Sequence, residues 1–220
     1  MTVDASGAKS DFVQGGSSHL LFLGGAGGAT IMGGTGSDTY FGSAGSTSAQ
    51  YIEGGSSGNN LLMAGDGAAT LAGGGNNDQL IAYGSVAQYL RAAGGNETLS
   101  AALSTGNDTL AGGSGKDQLI GGLGSDKFIA GTGQATVTVG AGQSVFEFIN
   151  HHAGGSMVVN GIFDPNSLQI DLDGYGHNAI NKALQSQTVK NGAVTISLSD
   201  GTTVTFNDVT SLNRSNFTSH

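Results

Sequence analysis

The chain has 220 residues, 41 of them glycine and only one proline, and charged side chains make up 10% where an ordinary globular chain carries about 25%. Seven Lys plus Arg against a net charge of -9 leave no basic stripe able to neutralise nucleic-acid phosphates or to hold an anionic membrane surface. The absence of cysteine excludes disulfides, thiolate metal sites and cysteine nucleophiles together.

Residues 1–14 read as a lead-in. They carry no basic flank followed by an apolar stretch, so no conventional cleaved secretion signal is expected. The longest apolar run near the start, residues 20–23, is far shorter than the roughly 20 residues of a membrane-spanning helix.

From residue 15 a nine-residue frame sets in. Its first block holds GGSSHLLFL from Gly15, GGAGGATIM from Gly24 and GGTGSDTYF from Gly33. The second holds AGDGAATLA from Ala64 and GGGNNDQLI from Gly73. The third runs LSTGNDTLA from Leu103, GGSGKDQLI from Gly112, GGLGSDKFI from Gly121, AGTGQATVT from Ala130 and VGAGQSVFE from Val139. Position eight is apolar in every unit: Phe22, Ile31, Tyr40, Leu71, Leu80, Leu110, Leu119, Phe128, Val137 and Phe146. Position seven is often Thr, which suits a short strand. Each unit is therefore a glycine turn followed by about three strand residues, the glycines allowing positive φ or close backbone approach. A short strand cannot bury its apolar face alone. Two units per coil, with one strand on each side, bring the position-eight side chains together in a thin continuous core. The fold class expected is all-β, a parallel β-roll or β-solenoid.

Two interruptions, GSAGSTSAQYIE from Gly42 and AYGSVAQYLRAA from Ala82, share Ala-Gln-Tyr and read as longer coils. The glycine period stops near residue 149. Beyond it, strands are expected at 156–162 and 168–172, a short helix at 177–184, and a hairpin of 193–197 with 202–206 around Asp200-Gly201. This gives three parts: a lead-in at 1–14, a glycine-rich roll at 15–148, and a β-rich capping region at 149–220 that covers the open end of the roll.

Position six carries the candidate ligands: Asp38, Asp78, Asp108, Asp117 and Asp126. Units n and n+2 share a side of the roll, so Asp108 and Asp126 should meet across adjacent coils. Carboxylates and turn carbonyls offer the hard oxygens that Ca2+ takes in flexible geometry, whereas transition metals have no Cys and find the histidines outside the frame. Asp117 has Ala135 on its later side and an irregular coil with Glu97 on its earlier side. Asp38 and Asp78 are expected to lack same-side carboxylate partners, with Asn60, Asn76 and Asn77 as neutral oxygen donors. Other signals are discounted. The Gly-Gly-Ser-Ser-Gly at 54–58 mimics a nucleophile elbow by chance in such a composition, Asp171–Gly174 lacks the remaining spacing of an EF-hand loop, and His151-His152 reads as a solvated pair. The three glutamates, Glu53, Glu97 and Glu147, are too scattered for glycosidic chemistry, so no enzyme is expected.

GGTGSDTYF, GGSGKDQLI and GGLGSDKFI resemble the repeat GGxGxDxUx of the RTX, or hemolysin-type, calcium-binding family, and LQIDLDGYG from Leu168 and SLSDGTTVTFNDVTSL from Ser197 resemble the region that follows such repeats. The resemblance implies a bacterial protein exported by the type I secretion machinery through an uncleaved C-terminal signal, folding on calcium outside the cell. Two functional classes follow: a structural calcium-binding module of adhesin or matrix type, or an accessory module of an extracellular hydrolase or polysaccharide-modifying enzyme. Surface tyrosines Tyr51, Tyr83 and Tyr89 make a polysaccharide partner testable.

Overall fold

The computed structural model describes residues 1–162 and 164–220. Short strands alternate between two sheets as the chain winds through about eight coils of a parallel β-solenoid. The first sheet stacks Thr2–Asp4, Leu21–Leu23, Thr39–Phe41, Leu61–Met63, Gln79–Gly84, Thr98–Ser104, Lys116–Ile120, Gln134–Thr138 and Ser156–Asn160, in that order. The second stacks Ser10–Gln14, Gly28–Met32, Gln50–Glu53, Ala69–Ala72, Tyr89–Arg91, Thr109–Ala111, Asp126–Ile129, Ser144–Ile149 and Leu168–Asp173. Both interruptions of the repeat are thus coils of the roll, contributing Gln50–Glu53 and Tyr89–Arg91 to the second sheet.

Register follows the repeat. Where the frame is regular the advance is two units, as in Gln118↔Thr136 and Leu110↔Phe128. All ten position-eight side chains are buried, none more than 1% exposed, because a strand's period of two turns positions six and eight inward together. They form one core that runs the length of the solenoid. At its far end Phe128 stacks on Phe146 at 5.3 Å, and Phe146 meets Phe206 edge-on at 5.4 Å.

The turn glycines serve close approach more than unusual dihedrals. A Cβ at Gly140 would lie 1.6 Å from the Gly122 carbonyl oxygen of the coil below, and one at Gly133 would lie 2.2 Å from that of Gly115. Neither needs positive φ. In the C-terminal region, Thr203–Phe206 adds parallel to Ser156–Asn160, and Ala193–Ser197 and Thr188–Lys190 follow antiparallel. The helix Ala179–Gln185 packs Ala179 and Ala183 inward, and Phe217–Ser219 ends the second sheet against Leu168–Asp173.

Candidate metal centre

Because positions six and eight point the same way, the candidate ligands line the inside of the roll where strand meets turn. Register places Asp38, Asn60, Asp78, Glu97 and Asp117 on five successive coils of the first sheet, with Ala135 following. In the second sheet Gln88, Asp108, Asp126 and Ser144 succeed one another. All six acids are 1–3% exposed.

The aspartates of both columns and Asn60 each hold a neighbouring coil. Asp126 Oδ1 accepts the Asp108 N–H at 2.9 Å, and Asp108 Oδ1 accepts the Gln88 N–H at 2.8 Å. In the other column Asp38 Oδ1 takes the Leu20 N–H, Asn60 Oδ1 that of Asp38, Asp78 Oδ1 that of Asn60 and Asp117 Oδ1 that of Glu97, at 2.7–3.1 Å. The second oxygen turns to the unit's own turn: Asp126 Oδ2 accepts Gly122 N–H, Asp117 Oδ2 accepts Gly113 N–H, and Asp78 Oδ2 accepts Gly74 N–H. Asp38 Oδ2 instead takes the Tyr40 hydroxyl at 3.0 Å.

Among the six acids of these columns, three buried carboxyl oxygens have no such donor. Asp108 Oδ2 and both oxygens of Glu97 lack a hydrogen-bond partner. Ser104, beside Asp108, turns its hydroxyl to the Gly84 carbonyl. Burial raises the Asp108 carboxyl above its ordinary range against the pull of Ser104 and the Gln88 N–H, and burial raises that of Asp126 against two backbone donors. The Glu97 carboxyl is pushed up to about 8, chiefly by burial, then by contact with the Asp117 carboxyl and by the charges of Asp117 and Asp78. A buried acceptor without a donor costs about 1–3 kcal/mol, more when charged, so these positions favour a cation or a proton.

The Asp108 and Asp126 pair lies on adjacent coils, as the two-unit rule requires. The earlier neighbour of Asp117 is Glu97 itself, occupying position six. The expectation that Asp78 has no same-side carboxylate partner is corrected, since Glu97 stands on the next coil; that coil advances 19 residues, Gln79↔Thr98, and the extra residue hid it from a strict nine-residue frame. Asp38 has Leu20 and Asn60 as its column neighbours, neither of them a carboxylate. Asn76 and Asn77 lie in the turn before Asp78, outside the ladder. Among the described residues no three His, Asp or Glu side chains converge on one point. One acid per coil on each side of the roll is the pattern of a site completed by turn carbonyls, which suits a large, flexible coordination sphere of hard oxygens.

The RTX calcium-binding nonapeptide repeat matches in four copies over residues 21–47, 54–84 and 104–137. The chain carries RTX repeats, and such repeats bind calcium ions. No curated protein matches the sequence. The RTX match covers Asp38, Asn60, Asp78, Asp108, Asp117 and Asp126 but not Glu97 or Gln88, and the donor-free oxygens of Asp108 and Glu97 fit a bound Ca2+. Tyr51 and Tyr89 lie on the outer face of the second sheet with Thr70 between them, while Tyr83 belongs to the first sheet.

Proposed function

We propose that this chain is an extracellular structural module, of adhesin or matrix type, that folds on calcium after export by the type I secretion machinery. Asp108, Asp126, Asp117, Asp78 and Asp38 are the carboxylates assigned to calcium, with turn carbonyls completing the coordination and Glu97 joining Asp78 and Asp117. The ion supplies positive charge to buried oxygens; the chain's own residues supply the stacked turns that bring successive coils together. The observation that carries this reading is the set of donor-free buried oxygens on Asp108 and Glu97 within an RTX roll.

Residues 15–148 are the calcium-binding part of the roll in this reading, residues 1–14 add its first coil, and residues 149–220 close it and carry the export signal. No helix of the described residues is long and apolar enough to cross a membrane. A chain with scarce calcium inside the cell stays unfolded for export, and outside it each site at tenfold excess over its dissociation constant adds about 1.4 kcal/mol. The test is calcium titration followed by circular dichroism, with amide exchange in calcium and in chelator. Residues 103–128 should loosen on chelation more than residues 22–40; identical exchange in both conditions rejects the reading.

A second reading rests on Tyr51 and Tyr89, which present two half-exposed rings on one face beside Glu53 and Arg91. An extended polysaccharide stacking on these rings would make the chain an accessory module of a polysaccharide-modifying enzyme or other hydrolase. A glycan array comparing the wild type with Tyr51→Ala/Tyr89→Ala decides, equal signals counting against it.

A further inference from the structure

The two interrupting coils share Ala-Gln-Tyr, and register puts their glutamines, Gln50 and Gln88, at position six on either side of Ala69. Ala69 brings no carboxylate to its turn. In the units of Asp78, Asp117 and Asp126 the position-six carboxylate accepts the N–H of the glycine four residues earlier. The corresponding donor here is Gly65, and it is met by Gln50 Oε1 from the preceding coil at 3.1 Å.

From the following coil comes the complementary group. The two N–H groups of Gln88 Nε2 are shared among three converging carbonyls, Gly65 at 2.9 Å, Gly67 at 2.9 Å and Tyr83 at 2.8 Å. Gln88 Oε1 accepts the Tyr83 N–H at 3.0 Å, and this fixes the orientation of the amide, since the reversed group would face three carbonyls with an oxygen. Gln88 is 3% exposed and Gln50 5%. An electropositive centre surrounded by backbone oxygens is what a cation would otherwise supply, and hard carbonyl oxygens are calcium ligands.

We infer that Gln50 and Gln88 determine which turns of the roll take calcium, by clamping the turn at residues 64–68 with a side-chain amide in place of a carboxylate and an ion. The inference rests on the calcium reading for the aspartate turns, but the clamp has its own readout. Amide exchange on the full chain should show residues 65–68 equally protected in calcium and in chelator, while residues 121–126 lose protection in chelator. Gln88→Ala should lower protection at 65–68 at least tenfold in both conditions. Gln88→Glu keeps the length and removes the amide donor, so it should expose 65–68 in chelator, recover protection on adding Ca2+ and bind one more ion by calorimetry.

Loss of protection at 65–68 in the wild type on chelation, or chelator-resistant protection in Gln88→Glu, overturns the clamp. Unchanged 121–126 with the Gln88→Glu response intact overturns the calcium reading of the aspartates and leaves the clamp standing.

Discussion

Truncating Asp126 to alanine removes the acceptor for two buried backbone donors, the Asp108 N–H at 2.9 Å and the Gly122 N–H at 2.7 Å. A hydrogen bond to a charged group contributes about 1.5–3 kcal/mol, and an unsatisfied buried donor costs about 1–3 kcal/mol. The buried carboxylate also carries a desolvation cost, seen in its raised pKa, and the variant is relieved of that. The balance is a loss of about 3 kcal/mol before any ion is counted, with about 1.4 kcal/mol more at tenfold calcium excess if the site empties. Asp126→Asn keeps one acceptor and should lose about half as much. Urea unfolding of the calcium-saturated chain measures the total, and amide exchange locates it: Asp108 and Gly122 should lose protection while Thr30 keeps it. A loss under about 1 kcal/mol with both amides still protected would falsify the ladder as the element that joins these coils.

Gly140→Ala places a methyl 1.6 Å from the Gly122 oxygen and should cost about 3 kcal/mol or more in thermal unfolding, whereas Gly16→Ala, with nothing within 4 Å, should stay within about 0.5 kcal/mol; equal costs would refute the close-approach account. In calcium-free protein the folded Glu97 holds its proton up to about 8, while the unfolded chain releases it near the ordinary 4.5. The native state therefore binds more protons across that window, and its stability falls as pH rises from 4.5 to 8. Glu97→Gln should make the denaturant midpoint less pH-dependent in chelator; an unaltered slope counts against the assignment. Phe206→Ala breaks the edge contact with Phe146 and should cost about 3–5 kcal/mol, with exchange rising at Ser144–Ile149 before Gly28–Met32, and the reverse order would separate the C-terminal region from the roll.

The roll was legible because its period is strict where it matters. An inward side chain every nine residues has one geometric solution, and Phe22, Leu119 and Phe146 all occupy it. In the C-terminal region the expected strands, helix and hairpin appear within two residues of Ser156–Asn160, Leu168–Asp173, Ala179–Gln185 and Ala193–Ser197 with Thr203–Phe206. The parallel addition of Ser156–Asn160, Leu168–Asp173 and Thr203–Phe206 to the two sheets was not legible, since pairing between distant segments leaves no local mark. Nor was the first coil, which uses Thr2–Asp4 and Ser10–Gln14 from the stretch read as a lead-in. Glu97 escaped because its coil is one residue too long for the frame. Gln50 and Gln88 carry no charge to mark them in the sequence, although the two Ala-Gln-Tyr segments aligned against position six put both in the ligand column.

A solenoid's stability is a sum over neighbouring coils, so unequal coils can respond separately to one ion. Asp78, Glu97, Asp108, Asp117 and Asp126 fall between the glutamine-held turn at 64–68 and the Phe128, Phe146 and Phe206 stack. Neither the glutamine clamp nor the phenylalanine stack uses a carboxylate. Withdrawing calcium therefore acts on the middle, and opening there cuts the interface that makes the flanks one cooperative unit. Calorimetric unfolding should show one transition in saturating calcium and two in chelator, the lower one carrying the exchange changes at 103–128. A single transition in both conditions, shifted as a whole, would mean that the coils are coupled more tightly than nearest-neighbour stacking allows.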